Sequence, residues 1–101
     1  MISLSVVEGE LARLGARLRE ARLARDDSMH VFAQRIGVSV PTLRAMEQGA
    51  SSVQIGYWAN ALWTLDRLHD LSAVLRESAS PLDQVRERRS AKRQRASRRS
   101  A

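Results

Sequence analysis

The sequence predicts an all-α fold, five helices followed by a basic tail, and three observations predict it. Apolar residues recur three or four positions apart from about Leu11 to Leu75, with no alternating stretch of convincing strand length. Between Ser28 and Gly49, capping residues, apolar positions and glycines occur in the order that two short helices and a tight turn require. Basic residues crowd the C-terminal end, where apolar residues almost vanish. At 101 residues with 44% hydrophobic side chains, one domain with a modest core is expected, and a total of four Phe, Trp and Tyr leaves little large-ring packing.

Residues 1–8 read as a short apolar extension without a cap, either frayed or adding a small dimer contact. A helix follows from about Glu8, with Leu11, Leu14 and Leu18 on one stripe. Glu8 and Glu10 suit its electropositive start, Arg22 and Arg25 its end, and Asp26-Asp27 breaks it. Ser28 is then a candidate N-cap, because its hydroxyl can accept an orphan backbone N–H of a first turn. Phe32, Ala33 and Ile36 fall at helical spacing, Gly37 permits the left-handed backbone that ends the helix, and Val38 plugs the corner. Ser39 is a second N-cap, Pro41 sits in the first turn, Leu43 and Met46 face inward, and Gly49 stops the helix. The ordered set is a helix-turn-helix pattern; the alternative is an ordinary αα-hairpin in a helical bundle.

Ala50-Ser51-Ser52 is a loop, and a further helix starts at Ser52 or Val53. Ile55, Trp58 or Ala59, Leu62 and Leu65 repeat at helical spacing, and Ile55, Ala59 and Leu62 form the expected core stripe. A break at Asp66 or Arg67 precedes a fifth helix outlined by Leu68, Leu71, Val74 and Leu75. The expected organisation is therefore an extension at 1–8, a domain at 9–77 with its helix-turn-helix at 28–49 and second motif helix at about 40–48, and an Arg-rich disordered tail at 78–101.

The net charge of +6 is unevenly spread. Residues 86–101 carry eight basic groups, Arg86, Arg88, Arg89, Lys92, Arg93, Arg95, Arg98 and Arg99, against Glu87 alone; residues 1–85 carry nine basic and ten acidic groups. DNA affinity in the body must then come from where its charges sit rather than from their sum. The tail is a candidate for non-specific phosphate contact, its alternatives being a solubilising extension or a segment recognised by a protein.

If the second motif helix enters a major groove, Val40, Pro41, Arg44 and Ala45 near its start meet base edges. Arg44 is the side chain there able to contact guanine in bidentate fashion; otherwise it is a phosphate contact or a solvated charge. The apolar three suit thymine methyl groups. Ser28, Arg35, Ser39, Thr42 and Gln48 are candidate backbone contacts. Glu47 lies among groups that would face phosphate, so it requires an internal cation, and Arg22 is the expected partner. Trp58 and Trp63 cannot both share the stripe of their helix. One of them either covers a homodimer seam or merely flanks the core.

Other chemistries find no support. There is no cysteine, and His30 and His69 lack ligand spacing, so no metal or other cofactor is expected. No nucleophile has a local base, and no Gly-rich phosphate loop exists, so no enzymatic activity is expected. No apolar run reaches membrane-span length and no secretory signal is visible, which predicts a cytoplasmic protein.

Leu18-Arg-Glu-Ala-Arg22, Phe32-Ala33 and Gly37-Val-Ser-Val-Pro-Thr-Leu-Arg-Ala-Met-Glu-Gln-Gly49, with Ser52-Val-Gln-Ile-Gly56 and Ala61-Leu-Trp63 downstream, resemble the Xre/Cro-type helix-turn-helix repressors. The continuation and the Arg-rich C-terminus are most similar to the HipB-like antitoxins that accompany HipA-type kinase toxins. The resemblance covers about Leu11 to Leu75 and implies a five-helix lambda-repressor-like domain. It further implies a homodimer on a palindromic double-stranded operator, autoregulation of a type II toxin–antitoxin operon, and direct binding of a HipA-type kinase toxin. A phage- or plasmid-type repressor without a toxin, or a protein-interaction module that has lost operator recognition, are the alternatives. Three residues depart from the family pattern: Met29 and Val40 stand where Gln is common, and Asp27 where an apolar residue closes the first helix. These bear on operator affinity, for which the basic tail is a candidate compensation.

Overall fold

Five helices follow one another in the computed structural model: α1 (Leu4–Ala24), α2 (Met29–Ile36), α3 (Val40–Glu47), α4 (Ile55–Thr64) and α5 (Leu68–Ser72). The structure describes residues 4–77 together with Val85, Arg86, Arg88, Arg89 and Lys92, and no strand occurs among them. The chain divides into two units, Met1–Leu71 and Ser72–Ala101. The expected disorder of 78–101 lies largely outside the described residues.

The α2–α3 pair is built from local signals. The Ser28 hydroxyl accepts from Val31 N at 3.2 Å and that of Ser39 from Thr42 N at 3.2 Å, so each helix starts on a side-chain cap. Between them Gly37 takes φ 75°, and the Val38 amide reaches back to Ala33 O at 3.0 Å, closing the turn. Phe32, Leu43 and Met46 are fully buried and, with Leu18, Ala33, Ile36 and Ala61, make the core. Each large apolar side chain buried in this way contributes roughly 1.5–3 kcal/mol.

α1 lies against the end of α3 closely enough to dictate composition. A Cβ on Gly15 would stand 2.6 Å from Met46 O and 2.5 Å from Glu47 O, and one on Gly49 would stand 2.5 Å from Leu11 O. Backbone occupies both positions, so neither clash can be relieved by a rotamer change. Arg25 Nη1 donates to Thr64 O at 3.1 Å and Asn60 Nδ2 to Ile36 O at 3.3 Å, fastening α4 to the ends of α1 and α2.

Four expectations need correction. α1 begins at Leu4 rather than about Glu8, because nothing in Leu4–Val7 breaks a helix and propagation from a docked segment costs little. α4 begins at Ile55 rather than Ser52 or Val53. Its buried face is not centred on Ile55, Ala59 and Leu62: Ile55 is 72% exposed and Ala59 and Leu62 are half-buried, whereas Ala61 is fully buried and Tyr57 packs on the core together with Trp58 and Leu65, which the spacing included. That face is displaced by one position, about 100° of helical rotation. The fifth helix ends at Ser72; Val74 is exposed, and Leu75 is exposed with φ 59°.

Candidate nucleic-acid interface

The α3 helix divides its side chains cleanly. Leu43 and Met46 are buried, while Pro41, Arg44 and Gln48 are exposed and Thr42 and Ala45 are half-buried. Val40, expected among the base-facing residues, is half-buried and packs on the core, so its side chain is shared between the fold and the surface. Met29 likewise packs on the core, which explains an apolar residue at that position.

Ser28 and Ser39 spend their hydroxyls on caps, and Ser39 also donates to Thr42 Oγ1 at 2.9 Å. Both residues are exposed. Arg35 Nε lies 3.7 Å from Asp27 Oδ2 with half of its side chain exposed, so it is an exposed cation already leaning on an internal carboxylate. Among the described residues Arg44 forms no ion pair, which leaves its guanidinium available beyond the surface of α3.

Behind this surface the structure brings Arg22 and Glu47 together. Arg22 Nε donates to Glu47 Oε2 at 2.7 Å and Nη2 to Oε1 at 3.1 Å, while Nη1 donates to Asp27 O at 2.9 Å. Side-chain exposures of 8% and 5% mark the pair as buried. The hydrogen bond to Glu47 raises the Arg22 pKa above its ordinary value; burial opposes this, and the charges of Glu47 and Asp27 reinforce it. The bidentate geometry ties the end of α1 to the end of α3 and neutralises the one carboxylate that α3 carries. Asp27 is part of the same corner: its Oδ2 is buried, lies 3.7–3.9 Å from Arg35 Nε and Arg25 Nε, and makes no hydrogen bond. The acidic residue at this position thus replaces apolar closure with a cluster of guanidinium groups.

Three residues outside the expected set join the interface. Ser52, Gln54 and Tyr57 line an open cleft with Pro41, Thr42 and Ala45, of about 310 Å³. Gln54 begins α4 without a side-chain cap, the Tyr57 amide donating instead to the Gln54 carbonyl at 3.1 Å, and a helix start of this kind favours an anion. Only the tertiary packing of α3 beside α4 reveals this juxtaposition, and the sequence signal available was the Ser-Ser-Val-Gln loop alone.

Trp58 packs on the core of its own chain, whereas Trp63 is 71% exposed. Of the tail cations, Arg86, Arg88, Arg89 and Lys92 are described and exposed; Arg93, Arg95, Arg98 and Arg99 lie outside the described residues. Among the described residues there is no group of three metal-ligating side chains, and no helix is long and apolar enough to cross a membrane.

The family model of the helix-turn-helix domain matches residues 13–79, well over half of the chain. No curated protein and no solved structure matches it. The matched span begins inside α1, takes in the Arg22–Glu47 pair and both motif helices, and ends past α5. The chain belongs to the helix-turn-helix domain family, a DNA-binding and typically non-enzymatic module of Xre-like regulators.

Proposed function

We propose that this protein is a homodimeric, sequence-specific transcriptional repressor, the autoregulating antitoxin of a type II toxin–antitoxin module whose toxin is a HipA-type kinase. One observation carries the repressor half of this reading. α3 presents Pro41, Arg44 and Gln48 outward while Leu43 and Met46 anchor it from behind and Arg22 neutralises Glu47. Arg44 is the base reader, with Pro41, Ala45 and the outer part of Val40 supplying apolar contacts to thymine methyl groups. Thr42, Gln48, Arg35 and the exposed starts of α2 and α3 at Ser28 and Ser39 set register on the phosphates. Two recognition helices one duplex turn apart, about 34–36 Å, would read the two halves of a palindrome. The cations of the tail add sequence-independent, salt-sensitive affinity.

The antitoxin half rests on the resemblance of Ser52–Gly56 and Ala61–Trp63 to HipB-like antitoxins. Ile55 and Trp63, from those two segments, are exposed apolar side chains of the kind a protein partner covers.

The test is a gel shift of the purified protein on its own upstream region, with scrambled DNA as competitor. Specific retardation supports an autoregulating repressor, and co-purification of a kinase encoded beside this gene supports the antitoxin role. Equal competition by scrambled DNA overturns operator reading and assigns binding to the tail. A second reading, a protein-interaction module, is favoured by Met29 and Val40, whose side chains pack on the core. Arg44→Ala separates the two, because a DNA reader loses affinity and specificity at one base pair while an interaction module is indifferent.

A further inference from the structure

α1 carries an apolar row longer than the domain it serves. Leu4, Val7, Leu11, Leu14, Leu18 and Ala21 are spaced alternately three and four apart, the pattern of a helix-pairing seam. Its C-terminal half is used within the chain: Leu18 is buried, and Leu14 and Ala21 are half-buried. Its N-terminal half is not, since every residue from Leu4 to Glu8 is exposed, with Leu4 at 65% and Val7 at 47%. α1 therefore extends two turns upstream of the point where Leu11 and Ala12 meet Gly49.

A second feature complements the first. Leu14, Leu18 and Ala21 form one wall of a groove whose other wall includes Trp58 and Leu62 of α4. Arg17 stands at its edge, as do Arg67 and Asp70, which pair with each other at 2.7 Å. The unbalanced charge of that edge is thus the Arg17 cation. The overhang carries the opposite sign, because Glu8 and Glu10 flank Val7 and Leu11.

We infer that the overhanging turns of α1 dock in the α1–α4 groove of a second copy of this chain, so that two α1 helices pair antiparallel about a two-fold axis near Ala12 and Arg13. An isologous contact requires a protrusion and a recess on the same molecule at equal distances from the axis, and the spacing supplies this. Leu4 meets Ala21 of the second copy, Val7 meets its Leu18, and Leu11 meets its Leu14. Glu10 falls beside Arg17 of the second copy, and the symmetry makes this pair twice. Within one chain Glu10 contacts Arg13 in an exposed i,i+3 pair, which costs little to exchange. The groove shares no residue with α3, so the pairing leaves Val40–Glu47 uncovered. This inference rests on the homodimer in the function proposed above and assigns its seam to α1, with Trp58 at the edge and Trp63 outside it.

The chain contains no cysteine, which makes a disulfide test clean. Leu4 and Ala21, seventeen residues apart on one helix, are separated by about 25 Å, far beyond the roughly 7 Å that a disulfide spans. The double variant Leu4→Cys/Ala21→Cys can therefore close a disulfide only between chains, and mild oxidation is expected to give a covalent dimer on a non-reducing gel. In sedimentation equilibrium Val7→Lys, at an exposed position that the fold does not need, should weaken self-association by tenfold or more, on the order expected for a charge placed in an interface core. Glu10→Arg and Arg17→Glu should each weaken it several-fold, and their combination should restore it. A wild-type dimer that ignores Val7→Lys, or a double-cysteine variant that stays monomeric on oxidation, overturns this seam and leaves the homodimer standing. A wild-type chain that is monomeric at every concentration overturns the homodimer as well.

Discussion

The helix pair α2–α3 and the helix pair α4–α5 are stabilised by different means. In the first, both helices start on a serine cap, the turn is closed through Gly37, and Phe32, Leu43 and Met46 are excluded from solvent. In the second, α4 starts without a side-chain cap, Ala61 is its one buried residue and α5 has none. Tyr57 and Trp58 are only partly buried against the core, and Ile55 and Trp63 look outward, at 72% and 71% exposure. The first pair is rigid by construction, as a surface that must meet base edges in register requires. The second carries apolar area that the chain itself does not cover, which is where partner contacts are made.

The contrast is broken most severely at the ion pair behind α3. Arg22→Met should destabilise the domain by about 3–5 kcal/mol in urea unfolding, because it strands the buried Glu47 carboxylate. Arg22→Met combined with Glu47→Leu should recover most of that loss, since two apolar groups of similar size leave no unpaired charge. The loss should also be equal at pH 7 and pH 10. A folded-state pKa raised above that of the unfolded chain gives stability that is complete below the unfolded value and lost only as pH rises through the folded one. For a guanidinium that window lies above about pH 12. A loss that changes between pH 7 and pH 10 would show that a group other than the Arg22 guanidinium governs it. Trp63→Ala, by comparison, should change stability by no more than about 0.5 kcal/mol, and a larger loss would place that ring in the fold.

Operator reading sharpens the same comparison on the α3 side. Arg44→Ala should cost about 1–3 kcal/mol of specific binding and relax preference at one base pair, measured by competition on operator variants, with unfolding unchanged. Deleting residues 86–101 should instead weaken binding to all sequences alike and flatten the dependence of affinity on salt. An unchanged salt slope would remove the tail from the interface.

Legibility in the sequence follows the same division. Ser28, Gly37, Ser39 and Pro41 act on neighbours within four residues, so their spacing alone locates α2 and α3 to within a residue. The first described turn of α1 offers no such signal, having no acidic residue, and the helix reaches Leu4 because the docked half supports it. Period counting finds α4 but not its buried face. Ala61 is too small to register as an apolar anchor, and Ile55, which does register, sits beyond the reach of the core. The candidate interface divides similarly. That Arg44 lies outside the core was readable, whereas the sharing of Val40 with the core and the approach of Ser52, Gln54 and Tyr57 to Pro41 depend on the packing of α4.

The most direct probe of why the two pairs differ is the missing cap of α4. Gln54 begins α4 with extended backbone, φ −62° and ψ 138°, but its side chain accepts no hydrogen bond from the first turn. Serine occupies the matching position in α2 and α3 with nearly the same backbone, φ −68° and −73°. Gln54→Ser should therefore cap α4 and raise stability by about 0.5–1 kcal/mol, read as a shift in the urea midpoint at constant slope. If the amides that it caps otherwise face a phosphate beside the cleft, the same substitution should lower affinity for every DNA sequence equally. A gain in stability with affinity intact would mean that α4 starts uncapped for no reason connected with DNA, and that the loop at Ser51-Ser52 is merely a connection. A gain in stability with a uniform loss of affinity would mean that the missing cap is itself part of the interface, its place taken by the ligand.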